Sequence, residues 1–228
     1  MILDLVRGGI GPQFIIRMLV RVFTVFCVLP IHEYAHARVA DLLGDDTPRL
    51  KGRLSLNPLA HLDIYGTIMI IICGFGYAKP VGINPRNFKN PKLGMALTAA
   101  AGPGSNLVMA LLFALLADFA NMWYVNTAMT VANVTVLFCL YASLINVSLA
   151  LFNLIPVPPL DGSRILNIIL PSKYYFKVMK YERYLVIGVF VLMISGLLSR
   201  PFSALCSLVM TGVTKLVGLP FGSYAVIY

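Results

Sequence analysis

Long apolar runs alternate with short basic segments along this chain. Five runs stand out, with a sixth shorter one: about Phe14 to Ala40, the short Ile64 to Ala78, Met95 to Phe119, about Asn126 to Ile155, Leu185 to Leu198, and Phe202 to about Leu219. Several reach the roughly 20 residues that a helix needs to cross a bilayer. The pattern predicts an all-α polytopic membrane protein with about five to six transmembrane helices. One stretch breaks the helical pattern. Residues 49–63 partly alternate apolar and polar positions, which predicts a small β-hairpin at the membrane edge. No repeat or appended soluble region interrupts the pattern, so residues 1–228 read as one integral membrane domain, with a core of about 14–170 and C-terminal helices in 184–220.

Charge gives the runs a direction. Lys79, Arg86, Lys89 and Lys92 precede the third run, and Arg164, Lys173, Lys177, Lys180 and Arg183 follow the fourth, whereas the link at 121–126 carries no Lys or Arg. The positive-inside bias therefore puts 79–94 and 164–183 on the cytoplasmic side and 120–126 outside. Arg38, Arg49, Lys51 and Arg53 place the segment after the first run inside as well. Ile64–Ala78, short and broken by Gly74 and Gly76, is then either a tilted crossing or a re-entrant segment.

Composition agrees with a membrane protein. Apolar residues make up 59% of the 228 residues and charged residues 12%, about half the charged share of a soluble domain. The mean hydropathy is +0.84. The net charge of +9 resides in the short segments between runs and forms no basic face with stacking aromatics, so nucleic acid is not an expected partner. Cys27, Cys73, Cys139 and Cys206 lie in apolar stretches without paired spacing and read as small buried hydrophobes. Arg7, Arg17 and Arg21 interrupt the N-terminal segment, which is not expected to be a cleaved signal.

The chemistry begins at the end of the first run, with His32-Glu33-Tyr34-Ala35-His36. Positions i and i+4 of a helix share a face, so both imidazoles can reach one ion, with Glu33 beside it to take a proton from water. The plain alternative is two histidines and a glutamate on a solvated helix end. Ionisable groups at the end of a bilayer-length helix are costly to keep and usually functional, which favours the metal. Catalytic zinc takes three protein ligands and leaves one position open. Asp161 is the candidate third ligand, because the fourth run ends on the same side as the first. Its alternative role is to cap a helix starting near Gly162–Ser163. Asn153, about two turns earlier, is a candidate donor to the oxyanion of peptide hydrolysis or else a polar contact between helices. Asn106 invites the same two readings. Ala99 to Ser105 read as small residues for close packing, and His61 and Asp63 as solvated or capping groups.

The HExxH helix and the segment Asn153-Leu-Ile-Pro156-Val-Pro158-Pro159-Leu160-Asp161-Gly162 together resemble the site-2 protease family of intramembrane zinc metalloproteases, peptidase family M50. Gly52-Arg53-Leu54-Ser55-Leu56-Asn57-Pro58, Ala78-Lys79-Pro80-Val81 and Ala101-Gly102-Pro103-Gly104-Ser105-Asn106 extend the likeness over most of residues 20–170, in the compact bacterial-type branch without a PDZ domain. The resemblance implies one zinc per chain on His32, His36 and Asp161, Glu33 as general base, an active-site role for Asn153, and a transmembrane protein as substrate within the lipid bilayer. It implies the bacterial inner membrane, with the active site toward the cytoplasm, and names no regulatory partner. A hairpin at 52–58 would let an unwound substrate add as a strand. The competing expectation is a catalytically inactive zinc-binding protein that holds partner helices. Residues after about 185 match no motif.

Overall fold

The computed structural model describes residues 11–73, 78–170 and 180–218. The described residues are helical or irregular, with no strand among them. Four helices are long and apolar enough to cross a membrane: α1 (Pro12–Leu42), α5 (Pro91–Thr127), α6 (Thr130–Asn153) and α9 (Ser199–Gly218). Between them lie the short α2 (Thr47–Leu50) and α3 (Pro58–His61), then α4 (Ile64–Cys73), α7 (Asp161–Leu166) and α8 (Glu182–Ile194). The chain is an integral membrane protein.

Among the described residues four helices reach spanning length, against the expected five to six. As described, α4 and α8 have 10 and 13 residues, or about 15 and 20 Å of helix against a hydrocarbon core of about 30 Å. The link expected at 121–126 is itself helical. α5 runs through to Thr127, and the turn to α6 falls at Ala128, whose φ of 51° is left-handed. The 74–77 end of the second run, with Lys173 and Lys177, lies outside the described residues.

The expected hairpin at 49–63 is replaced by turns and two single-turn helices, for local reasons. Pro48 and Pro58 each sit in the first turn of a short helix, where a proline's missing N–H costs nothing. Asn57 caps α3 through Leu59 N. The Arg53 guanidinium donates to the Ala60 carbonyl, and His61 Nε2 lies 2.7 Å from the Ser55 carbonyl. The segment folds on itself through side chains, so no ladder is left to form. Asp45 anchors it to the next connection: buried, it accepts from Thr47 N, Asn84 N and Asn87 Nδ2.

The bundle centres on α5, which packs against α6, the second half of α1, α7 and α9. Its inward face is small: Ala96, Ala99, Gly102, Ala110, Ala114, Ala117 and Ala120 are buried. Small residues let backbones approach closely where lipid gives no hydrophobic drive for helices to associate. Ser143 Oγ accordingly reaches the Ala110 carbonyl at 2.8 Å. Phe23 of α1 packs edge-on against Phe113 and Phe138, with ring centroids 5.4 and 5.5 Å away. The outward faces carry exposed Leu19, Phe26, Val108, Leu112, Leu116 and Leu208, as lipid-facing surfaces do.

α1 is not uniform. Thr24–Val28 forms one π-turn, in which the Leu29 N–H donates to the Thr24 carbonyl. Pro30 follows directly. In a regular helix its ring would crowd the carbonyl of Phe26 and leave it without a donor, and the wide turn accommodates that break.

Candidate metal centre

His32 and His36 project from the helical part of α1 beyond the π-turn, both buried. Their Nε2 atoms lie 3.0 Å apart and their rings meet edge to face. The Thr98 carbonyl of α5, 2.7 Å from His36 Nδ1, holds that ring with Nε2 facing the centre. Both rings sit against Gly102. A Cβ there would lie 2.5 Å from His36 Cε1 and 2.6 Å from His32 Cε1, so only glycine lets α5 come this close.

The third group arrives from 125 residues further along the chain than His36. After α6 the chain turns through Leu154–Leu160 and enters α7 at Asp161. Asp161 Oδ2 lies 3.2 Å from His36 Nε2 and 3.5 Å from His32 Nε2. The helix cap is Leu160, and no side chain caps α7, so the aspartate serves the histidines and not its own helix. Gly162 makes the turn possible, since a Cβ would meet the Leu154 backbone carbonyl carbon at 2.5 Å. Burial alone would raise the Asp161 pKa, but the hydrogen bonds and charge of His32 and His36 outweigh it and hold the carboxyl well below its ordinary value.

Among the described residues these three form the one group able to hold a metal, with ligand atoms within 4.8 Å of one another. The donors fit zinc. Tetrahedral ligands about 2.05 Å from zinc lie about 3.3 Å from each other, and the separations here are 3.0, 3.2 and 3.5 Å.

A cleft of about 320 Å³ opens onto the group. Glu33 and Asn153 line it, with Leu29, Phe152 and Arg164. The irregular segment of Ala78, Pro80, Val81 and Ile83 forms another wall, tied down where Lys79 N donates to the His61 carbonyl at 2.7 Å. Asn153 Nδ2 donates to the Leu149 carbonyl at 3.0 Å.

Residues 119–195 match the profile described as peptidase family M50. "Putative zinc metalloprotease YwhC" of Bacillus subtilis (strain 168) is 41% identical over 177 residues, which is 77% of this chain and 80% of that protein. The chain belongs to peptidase family M50. A second relative, "Putative zinc metalloprotease Rip2" of Mycolicibacterium smegmatis, is 30% identical over 139 residues, or 59% of this chain and 51% of that protein. No solved structure matches the M50 chain. The protein is a zinc metalloprotease, a hydrolase built into a membrane.

Other residues of this M50 chain fall differently from their sequence readings. His61, expected to be solvated or capping, is fully buried under the 49–63 segment, and it joins no metal group. Asp63 does cap, accepting from Gly66 N at 3.0 Å. Asn106 is buried inside the bundle and does not line the cleft. Cys139 and Cys206 are buried free thiols and Cys27 a partly exposed one; the Cys73 side chain lies outside the described set. The Thr98 carbonyl escaped notice because a backbone group leaves no trace in side-chain pattern. Gly102 carried a signal, being the one glycine of its motif one turn from both Thr98 and Asn106.

Proposed function

We propose that this M50 protease hydrolyses peptide bonds in or near transmembrane segments of other membrane proteins, with His32, His36 and Asp161 as zinc ligands and Glu33 as general base. One observation carries the reading: two imidazoles and a carboxylate from distant parts of the chain converge at zinc-like separations at the floor of a cleft that Glu33 also lines. Bound there, zinc supplies the Lewis acidity that makes water nucleophilic near neutral pH.

The chain's own groups do the rest. Glu33 takes the proton from the attacking water and returns it to the leaving amine, a transfer worth about 10²–10⁴-fold. Asn153 keeps one amide hydrogen beyond the bond it gives Leu149 and offers it to the oxyanion that forms from the scissile carbonyl. A substrate helix hides its carbonyls in internal hydrogen bonds, so it must unwind before it reaches the group. The irregular 78–83 wall, beside the site, takes over the docking role expected of a hairpin. We place the catalytic group near the cytoplasmic face of the bacterial inner membrane, because Arg38, Arg49, Lys51, Arg53, Lys79 and Lys92 gather at the same ends of the spans as the site. We treat the core of about 14–170 and the C-terminal helices as a single domain binding one zinc.

The test is cleavage of a model transmembrane substrate in detergent, with zinc counted on the same samples. Glu33→Gln should keep one zinc per chain and lose at least 10²-fold in rate. Undiminished cleavage by that variant removes Glu33 from the mechanism.

A further inference from the structure

The two histidines are not equally supported. His36 has its Nδ1 held by the Thr98 carbonyl at 2.7 Å, whereas His32 Nδ1 is buried with no hydrogen-bond partner among the described residues. A metal-bound imidazole almost always gives its other ring N–H to an acceptor, which fixes its tautomer and orientation. Several buried polar groups share this condition, Asn106 and Asn146 among them. Asn106 is 1% exposed with both side-chain atoms unpartnered, and Asn146 is 0% exposed with Oδ1 unpartnered. Buried amides left this way are rare enough to require a reason.

Register brings the three together. α5 and α6 are joined by a tight turn and run antiparallel, and α1 ends at the same side as α6. His36 meets Thr98, and both rings flank Gly102 one turn further along α5. One turn back along α1 is His32, and one further turn along α5 is Asn106, on the same helix face as Gly102. Helical side chains lean toward their own N-terminus, so the Asn106 amide leans back toward Gly102 and the level of His32. On α6, the Ser143–Ala110 bond sets the register, which brings residue 147 beside 106 and Asn146 to the same level. Asn146 Nδ2 is already committed to the Ala142 carbonyl at 2.9 Å, leaving its oxygen as the free group.

We infer that Asn106 is the positioning residue for His32: its side-chain oxygen accepts the His32 Nδ1–H through a buried water that Asn146 Oδ1 also holds. Three polar partners are what a buried water typically has. The arrangement gives each histidine an acceptor from α5, a carbonyl for His36 and a side chain for His32. This rests on the zinc-ligand role proposed above for His32.

The experiment measures zinc affinity by chelator competition, the visible spectrum of the cobalt-substituted protein, and thermal unfolding of the metal-free protein. Asn106→Leu, similar in size but without an acceptor, should bind zinc about 10–100-fold more weakly, with an altered cobalt spectrum. Asn106→Asp, which keeps the oxygen, should bind within a few-fold of the wild type. If Asn106→Leu fails to accumulate, Asn106→Ala carries the same expectation. Wild-type zinc affinity in Asn106→Leu or Asn106→Ala, with only the metal-free stability lowered, makes Asn106 a packing residue and overturns the inference, as does an Asn106→Asp protein no better than Asn106→Leu. His32→Ala separates the two levels of the proposal: if it binds zinc as the wild type does, the ligand assignment itself fails.

Discussion

Gly102→Ala is the sharpest probe of the metal centre. The added Cβ would stand 2.5 Å from His36 Cε1 and 2.6 Å from His32 Cε1, against an ordinary contact of 3.4–4 Å. Relief requires α5 and the rings to part by roughly 1 Å, whereas ligand distances tolerate only about 0.2 Å. A displacement of that size near reacting groups costs on the order of 10²-fold in rate. Overpacking adds about 1–3 kcal/mol of destabilisation, offset by up to about 1 kcal/mol from replacing a helical glycine. The control lies two residues on, where a Cβ at Gly104 meets nothing within 4 Å. Zinc content, cleavage of a transmembrane substrate and thermal unfolding should show Gly102→Ala depleted in zinc and about 10²-fold slower while still folded. Gly104→Ala should match the wild type. Full zinc and full cleavage in Gly102→Ala would refute the close approach that positions both rings.

Gly162→Ala should also lose zinc, because a Cβ 2.5 Å from the Leu154 carbonyl carbon pushes Asp161 off the histidines; unchanged metal content would show that the turn can yield. Asp45→Asn should lower stability at pH 7 by roughly 1–3 kcal/mol, the cost of unsatisfying buried donors, as read by thermal unfolding in detergent. Burial tends to raise the Asp45 pKa, but bonds from Thr47, Asn84 and Asn87 win and leave it lowered from 3.8. Its contribution is therefore complete above that value and fades as pH falls through the lower folded-state value. The gap between wild type and Asp45→Asn should close below about pH 4, and a gap constant into acid would count against the anchor.

Much of this was legible because membrane helices leave little choice. Runs such as Met95–Phe119 announce spans by length alone, and HExxH fixes a shared face by helical geometry. Asp161 could be paired with the histidines because charge placed the ends of α1 and α6 on one side. The failures have a common cause. The alternation in 49–63 resembled a strand, but Pro48, Pro58, Arg53 and His61 make side-chain and turn contacts that period-2 patterning does not register. His61 looked solvated for the same reason. The stretch 121–126 resembled a link because it carries no Lys or Arg and is bracketed by Asn121 and Asn126, although the helix continues through Met122, Trp123, Tyr124 and Val125 to Thr127.

The π-turn in α1 has a consequence for how this chain tolerates change in length. In an uninterrupted α-helix, Val20 and His32 would point about 120° apart around the axis. One residue absorbed by the wide turn reduces that angle to about 20°, aligning the buried stripe of the first half with the two imidazoles of the second. The stretch Thr24–Val28 therefore acts as a phase adjuster. Removal of one residue there would leave a regular helix of the same phase, whereas insertion of one more would turn His32 and His36 about a quarter-turn away from Asp161 while leaving every motif intact.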